Sequence, residues 1–156
     1  MKIRLLLVGK TDQKEIALLF NEYENRLSHY CRFEVSTLQI KKNKASKSVE
    51  NTIEEEGKLI LNELDKASYL FLLDEKGKDF TSISFSEEIQ KQLLSGKREI
   101  VFCIGGAFGF SNSVYERANS LIALSKMTFT HQMVRLIFIE QLYRAFTILK
   151  GEKYHH

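Results

Sequence analysis

Residues 102–110, FCIGGAFGF, carry three glycines within five positions (Gly105, Gly106 and Gly109) directly after an apolar run. Glycine lets a backbone adopt positive φ and approach a bound molecule closely, so this turn is a candidate ligand cradle. The spacing is not the G-x-G-x-x-G of dinucleotide sites, and no Gly-Lys-Ser/Thr follows as in a P-loop. A tight strand-to-helix turn without a ligand explains the same glycines, and spacing alone leaves both readings open. Zinc ligation finds no support: His155 and His156 form a terminal pair, and neither Cys31 nor Cys103 has a partner at ligand spacing. The run G-F-S-N-S around Ser111 lacks the G-x-S-x-G elbow of a serine nucleophile, and helix capping accounts better for Ser111 and Ser113. Lys41, Lys42, Lys44 and Lys47 form a basic loop that could touch phosphate, although a solvated loop explains them more simply.

Charge has a location. Residues 126–156 hold five bases (Lys126, Arg135, Arg144, Lys150 and Lys153) against Glu140 and Glu152, so the whole net charge of +3 resides there. His131, His155 and His156 lie in the same stretch. A neutral body with a basic, histidine-rich end suits a polyanion partner; a solvated face on the last helix is the blander account. On that helix Arg135, Gln132 and Glu140 fall off the apolar face, and Tyr143 and Arg144 follow. Tyr154 and His155 would reach back from the tail as an aromatic surface and a polar hand, unless the terminus frays as termini usually do.

The elements that position these groups follow from hydrophobic period. Apolar runs at Lys2–Val8, 69–73, 100–104 and 121–124 predict buried strands, with a further strand carrying Phe33, Val35, Leu38 and Ile40. Three- and four-residue spacing predicts helices over 14–28 and 49–64, with Gly57 a weak spot in the second. Ser84 with Glu87, and Ser113 with Glu116, have capping-box spacing and predict two more helix starts. Residues 75–82 read as a loop. Thr130 caps the longest helix, whose broad apolar face runs through Ile137, Phe138, Gln141, Leu142, Ala145 and Phe146. A stripe that wide can serve both a core and a two-fold dimer. Strands alternating with helices predict a single α/β domain over 1–156, a mostly parallel sheet with helices on both faces. Ligands in such sheets bind beyond the carboxyl ends of strands, which singles out the loops after Leu73, Ile104 and Leu124.

Composition narrows the class. Hydrophobic residues are 44% and charged residues 28% of 156, proportions that exclude disordered and low-complexity chains. A chain this long can bury about 68–70% of its unfolded surface without disulfide help. No apolar run approaches the roughly 18 residues of a spanning helix, and the first apolar run stops at Val8, short of a secretory leader. Two cysteines fit a reducing compartment. The expectation is a cytoplasmic protein with no membrane partner.

Five segments carry a resemblance across the whole chain, in order: K-I-R-L-L-L-V-G-K at 2–10, L-F-L-L-D-E-K-G-K at 70–78, F-C-I-G-G-A-F-G-F-S at 102–111, L-S-K-M-T-F-T-H-Q-M-V-R at 124–135 and E-Q-L-Y-R-A-F-T-I-L-K-G-E-K-Y-H-H at 140–156. Together they resemble the bacterial RlmH family of SPOUT-class ribosomal RNA methyltransferases. The resemblance implies an α/β fold whose C-terminal part is threaded into a trefoil knot, a homodimer, and S-adenosylmethionine as methyl donor with no metal. It implies methylation of N3 of a pseudouridine in 23S ribosomal RNA, within the large subunit or assembled ribosome, at the subunit interface. By matching positions it places the cofactor at Leu73, Gly105, Gly106, Leu124, Ser125, Lys126, Met127, Thr128 and Phe129. Two positions depart from the family pattern: Phe129-Thr130-His131 stands where Leu-Pro-His is frequent, and His156 where a basic residue often ends the tail.

Methyl transfer from a sulfonium to a ring nitrogen needs in-line positioning and loss of the N3 proton. The candidates are His155 as base or hydrogen-bond partner, Arg144 as anion stabiliser or phosphate contact, and Tyr154 as stacking surface. The rival expectations are a tRNA methyltransferase of the same superfamily and a non-catalytic RNA-binding module using the same basic end.

Overall fold

The computed structural model describes residues 1–39 and 48–156. The expected Ile40 strand position and the basic loop of Lys41, Lys42, Lys44 and Lys47 lie outside the described residues. In chain order the elements are β1 (Lys2–Val8), α1 (Lys14–Ser28), β2 (Arg32–Leu38), α2 (Val49–Glu63), β3 (Tyr69–Asp79), α3 (Ser82–Leu94), β4 (Glu99–Ile104), α4 (Asn112–Arg117), β5 (Ser120–Ala123) and α5 (His131–Leu149). The strands pair in parallel in the order β2-β1-β4-β3-β5.

Strand side chains alternate between two cores, which is why the strands read as unbroken apolar runs. Ile3, Leu5, Leu7, Phe71, Leu73, Ile100, Phe102 and Ile104 face α1, α3 and α5. Leu6, Val8, Leu70, Leu72, Val101 and Cys103 face α2 and α4. Phe71 and Phe102 stack at 4.9 Å across β3 and β4, and Phe138 of α5 packs on Phe102 at the same separation.

Several expectations need correction. Residues 75–82 are not simply a loop: Leu73 and Lys78 both pair with Ile122, so 74–77 leave the ladder and the strand then resumes beside β5. Gly77 closes that excursion. A Cβ there would lie 2.5 Å from the Ile122 backbone, a close approach only glycine permits. The α3 cap is Thr81, in a reciprocal box with Ser84, one turn earlier than the Ser84–Glu87 spacing suggested. At α4 the cap position is Ser111, whose hydroxyl bonds Ser113 Oγ at 2.9 Å instead of a helix amide. Thr130 caps α5 as expected, accepting from Met133 N.

Gly57 costs α2 about 1 kcal/mol of helix propensity relative to alanine. Packing requires it, since a Cβ at Gly57 would fall 2.2 Å from Ser111 Oγ. On α5, Arg135 and Gln132 do not lie off the buried face as expected. Arg135 is wholly buried, donating to Val8 O at 2.7 Å and Thr11 Oγ1 at 3.0 Å. Gln132 donates to Lys10 O and accepts from Asp12 N. The two side chains thus clamp the turn after β1, with burial pulling the Arg135 pKa down and Asp12 opposing it. Of the broad α5 stripe, Phe138, Leu142, Ala145 and Phe146 are consumed by the core of the single chain.

Candidate functional site

A cavity of about 610 Å³ opens where the carboxyl ends of β3, β4 and β5 meet, the position the sheet topology singled out. Its floor is the glycine turn after β4, residues 105–109. One wall is the 74–76 excursion of β3, and the other is the segment between β5 and α5. Leu73, Gly105, Gly106, Leu124, Ser125, Met127, Thr128 and Phe129 all line it; Lys126 does not. Ser125 Oγ accepts from Met127 N at 2.9 Å and so shapes the last wall.

Only Gly109 of the three turn glycines has positive φ, at 82°. Gly105 and Gly106 are glycine for space. A Cβ on Gly105 would press the Phe110 ring at 3.1 Å. One on Gly106 would sit 2.6 Å from a carboxylate oxygen of Glu56 on α2. Sequence reading missed Glu56, which looks like one more solvated acid in the run Glu54-Glu55-Glu56. The neighbouring mid-helix Gly57 was the available signal of a close approach.

Asp74 and Tyr115 also line the cavity and were not singled out. Tyr115 donates to Asp74 Oδ2, while Lys76 N donates to Asp74 Oδ1 at 2.8 Å. Burial, and then the bond to Asp74, push the Tyr115 phenol up. Asp74, Glu75 and Lys76 put charges of both signs at the rim. Apolar walls, bare backbone at the glycine turn and a charged rim suit a small organic ligand. The mouth also exposes Phe108, Met127 and Phe129 to solvent.

A second cluster forms where the tail folds back on α5 and α1. Tyr154 donates to Glu140 Oε1 at 3.0 Å, and its hydroxyl meets that of Tyr23 at 3.2 Å. Its ring packs edge-on against Tyr143 and lies under the Arg144 guanidinium, 4.8 Å away. Arg144 Nε bonds Glu140 Oε1 at 3.1 Å, and this pairing holds its pKa up. Arg144 also stands 3.5 Å from His155 Nδ1. The tail is therefore docked, and Arg144, Tyr154 and His155 come together as the sequence suggested. Burial, followed by the bonds to Tyr23 and Glu140, raises the Tyr154 phenol.

None of those three lines the cavity. His131 lines it, and Arg144 stands 13 positions further along α5, about 20 Å at 1.5 Å per residue. Among the described residues there is no grouping of three or more His, Cys, Asp or Glu fit to hold a metal, and no helix long and apolar enough to cross a membrane.

Comparison with known proteins bears on this arrangement. The family described as "Predicted SPOUT methyltransferase" matches residues 1–155. A ribosomal RNA large subunit methyltransferase H of Flavobacterium johnsoniae is 50% identical over 156 residues, covering 100% of this chain and 99% of the relative. The protein of the same name from Parabacteroides distasonis is 51% identical with the same coverage. Among solved structures, a tRNA (m1G37) methyltransferase from Aquifex aeolicus superimposes with a TM-score of 0.51 at 13% identity. It covers 92% of this chain and 70% of its own, a likeness of fold.

Proposed function

The chain belongs to the SPOUT methyltransferase family, and we propose that it is an S-adenosylmethionine-dependent enzyme that methylates N3 of a pseudouridine in 23S ribosomal RNA, acting in the cytoplasm. The observation that carries this reading is half-identity, end to end, with proteins named as ribosomal RNA large subunit methyltransferases. The cavity supports it. Leu73, Leu124, Met127 and Phe129 would hold the adenosine part, the glycine turn would meet it with backbone groups, and Asp74 and Glu75 would face its positive charge. When bound, S-adenosylmethionine supplies a methyl group already activated on a sulfonium.

The tail supplies what the cavity lacks. Arg144 can stabilise negative charge as N3 loses its proton, or hold a phosphate. His155, beside it, is placed to accept a hydrogen bond or the proton itself. One face of the Tyr154 ring is covered by Arg144, so a stacked base would use the other face or the guanidinium plane. Stacking of this kind is worth about 1–3 kcal/mol per base.

A separation of about 20 Å along one helix is too long for methyl transfer within one chain. We infer a two-fold homodimer in which the tail of one protomer meets the cavity of its partner. The exposed Phe108, Met127 and Phe129 at the mouth support that contact. A dimer would have about twice the 18.1 kDa chain mass, and light scattering that returns the monomer mass at micromolar concentration would contradict it. The trefoil knot belongs to this proposal too. It comes from the family resemblance alone.

Two measurements test the function. Calorimetry should detect S-adenosylmethionine binding, which a pure RNA-binding module would not show. Mass mapping of RNA from a strain lacking the gene should find one large-subunit pseudouridine without its methyl. A loss confined to tRNA would transfer the enzyme to the other substrate class.

A further inference from the structure

The end of β3 is built to deliver Asp74. Alternation along the strand sends Leu70 and Leu72 to the side of α2 and α4 and Leu73 to the other, so Asp74 falls on the side of α4. The chain then leaves the ladder until Lys78, and interruptions of this kind beside a site re-aim a side chain. From α4, Tyr115 donates to Asp74 Oδ2, while the Lys76 amide donates to Oδ1 at 2.8 Å. Tyr115 is itself braced: its ring packs edge-on against Phe110 at 5.9 Å, and its amide donates to Ser111 O at 3.1 Å. Both Asp74 and Tyr115 line the cavity.

A carboxylate offers about four lone-pair sites. Among the described residues, these two donors take one site on each oxygen, which leaves one on each for a ligand. Two acceptors side by side, fixed in direction, match two neighbouring hydroxyls on one ring. The zwitterionic end of an amino acid is better served further out, where Glu75 and Lys76 stand exposed with charges of both signs. Asp74 is only half-exposed, and burial together with the bond to Asp74 raises the Tyr115 phenol, so its hydroxyl stays a donor at neutral pH.

We propose that Asp74 binds the two ribose hydroxyls of S-adenosylmethionine, and that Tyr115 is the positioning residue that holds the carboxylate in place for them. This rests on the function proposed above. The ribose bears the sulfonium on its 5′ carbon, so the carboxylate that holds the ring also lies near the donor's positive charge. Tyr115→Phe keeps the ring against Phe110 and removes only the donor to Asp74.

The test measures S-adenosylmethionine and its 2′-deoxy analogue by calorimetry on wild type, Asp74→Ala, Tyr115→Phe and the double variant, with thermal melting to check folding. Wild type should bind the 2′-deoxy analogue at least about 10-fold more weakly than S-adenosylmethionine. In Asp74→Ala the two ligands should bind within about threefold of each other, and in Tyr115→Phe the ratio should fall to an intermediate value. The double variant should bind like Asp74→Ala, because Tyr115 acts only through that carboxylate. A wild-type ratio in Tyr115→Phe would make the bond a mere tie between β3 and α4 and overturn the positioning role. Equal weakening of both ligands in Asp74→Ala would overturn the assignment to the ribose, as would a wild type that does not distinguish the two. Should Asp74→Ala fail to fold, the ratio in Tyr115→Phe decides alone: a reduced ratio supports the proposal and a wild-type ratio overturns it. Absence of S-adenosylmethionine binding by wild type itself would instead sink the proposed function, so the two failures are told apart.

Discussion

At the cavity a ligand would meet bare backbone at the glycine turn after β4, between mostly apolar side chains presented by the segments after β3 and β5. At the tail it would meet side chains tied into one network of Tyr23, Glu140, Tyr143, Arg144, Tyr154 and His155. The cavity is an outcome of the sheet. Its shape follows from where parallel strands stop and where glycines let the chain pass. The tail is held to the body by polar contacts, so changes there should alter chemistry more than folding. The two regions should therefore fail differently.

The largest effect is expected at Gly77. In Gly77→Val a Cβ must enter the β5 backbone, which cannot yield as a side chain can. Denaturant unfolding should show a loss of about 3–5 kcal/mol, and near-wild-type stability would mean that the excursion before Gly77 is not pinned to β5.

Gly106→Val should leave the fold largely intact, because the obstruction is the end of the Glu56 side chain. Backbone strain is no part of this, since φ at Gly106 is not positive. S-adenosylmethionine affinity should fall by at least about 10²-fold, roughly 2.7 kcal/mol. Unchanged affinity in the folded variant would remove the glycine turn from the site.

At the tail the split reverses. Arg144→Ala should keep cofactor affinity and lose about 10²–10³ in turnover if Arg144 stabilises developing charge. Its RNA binding should become less salt-dependent if the contact is to phosphate. Deleting residues 154–156 removes the Tyr154 bonds and should cost about 1 kcal/mol, while abolishing methyl transfer. A truncated enzyme that methylates ribosomes at the full-length rate would show that the docked tail has no catalytic part.

The smallest effect is a pH response. The folded state holds the Tyr154 proton more tightly than the unfolded chain, whose ordinary tyrosine value is 10.0. The folded state then binds more protons above that value, and stability falls as pH rises through it. Tyr154→Phe should flatten the alkaline limb of stability against pH. An unchanged limb would show that Tyr154 does not titrate with the fold.

The cavity was legible in sequence because strand-helix alternation and a glycine turn determine where strand ends gather. The role of each glycine was not legible. Gly105 and Gly106 read as positions of positive φ or of close approach to a ligand and are positions of close packing against Phe110 and Glu56, the latter arriving from elsewhere in the chain. Arg135 and Gln132 misled for a related reason. A polar residue at a helical position reads as solvent-facing, unless the backbone acceptors and donors of a distant turn, here that after β1, are known to meet it. The Ser84 cap was displaced by one turn because Thr81 and Ser84 satisfy each other more locally. The residue types of the tail suggested that Tyr154 and His155 reach back, with fraying as the alternative; their part in methyl transfer came from the resemblance.

The central claim is that cavity and tail from different protomers make one site. The direct measurement mixes two variants, Gly106→Val and Arg144→Ala, co-expressed so that dimers form at random, and reads methyl transfer to ribosomes. Each variant alone should be nearly inactive. A mixed dimer pairs the sound cavity of the Arg144→Ala chain with the sound tail of the Gly106→Val chain, so the mixture should regain about a quarter of wild-type activity, given two-fold pairing. A mixture no more active than its parts would contradict the account.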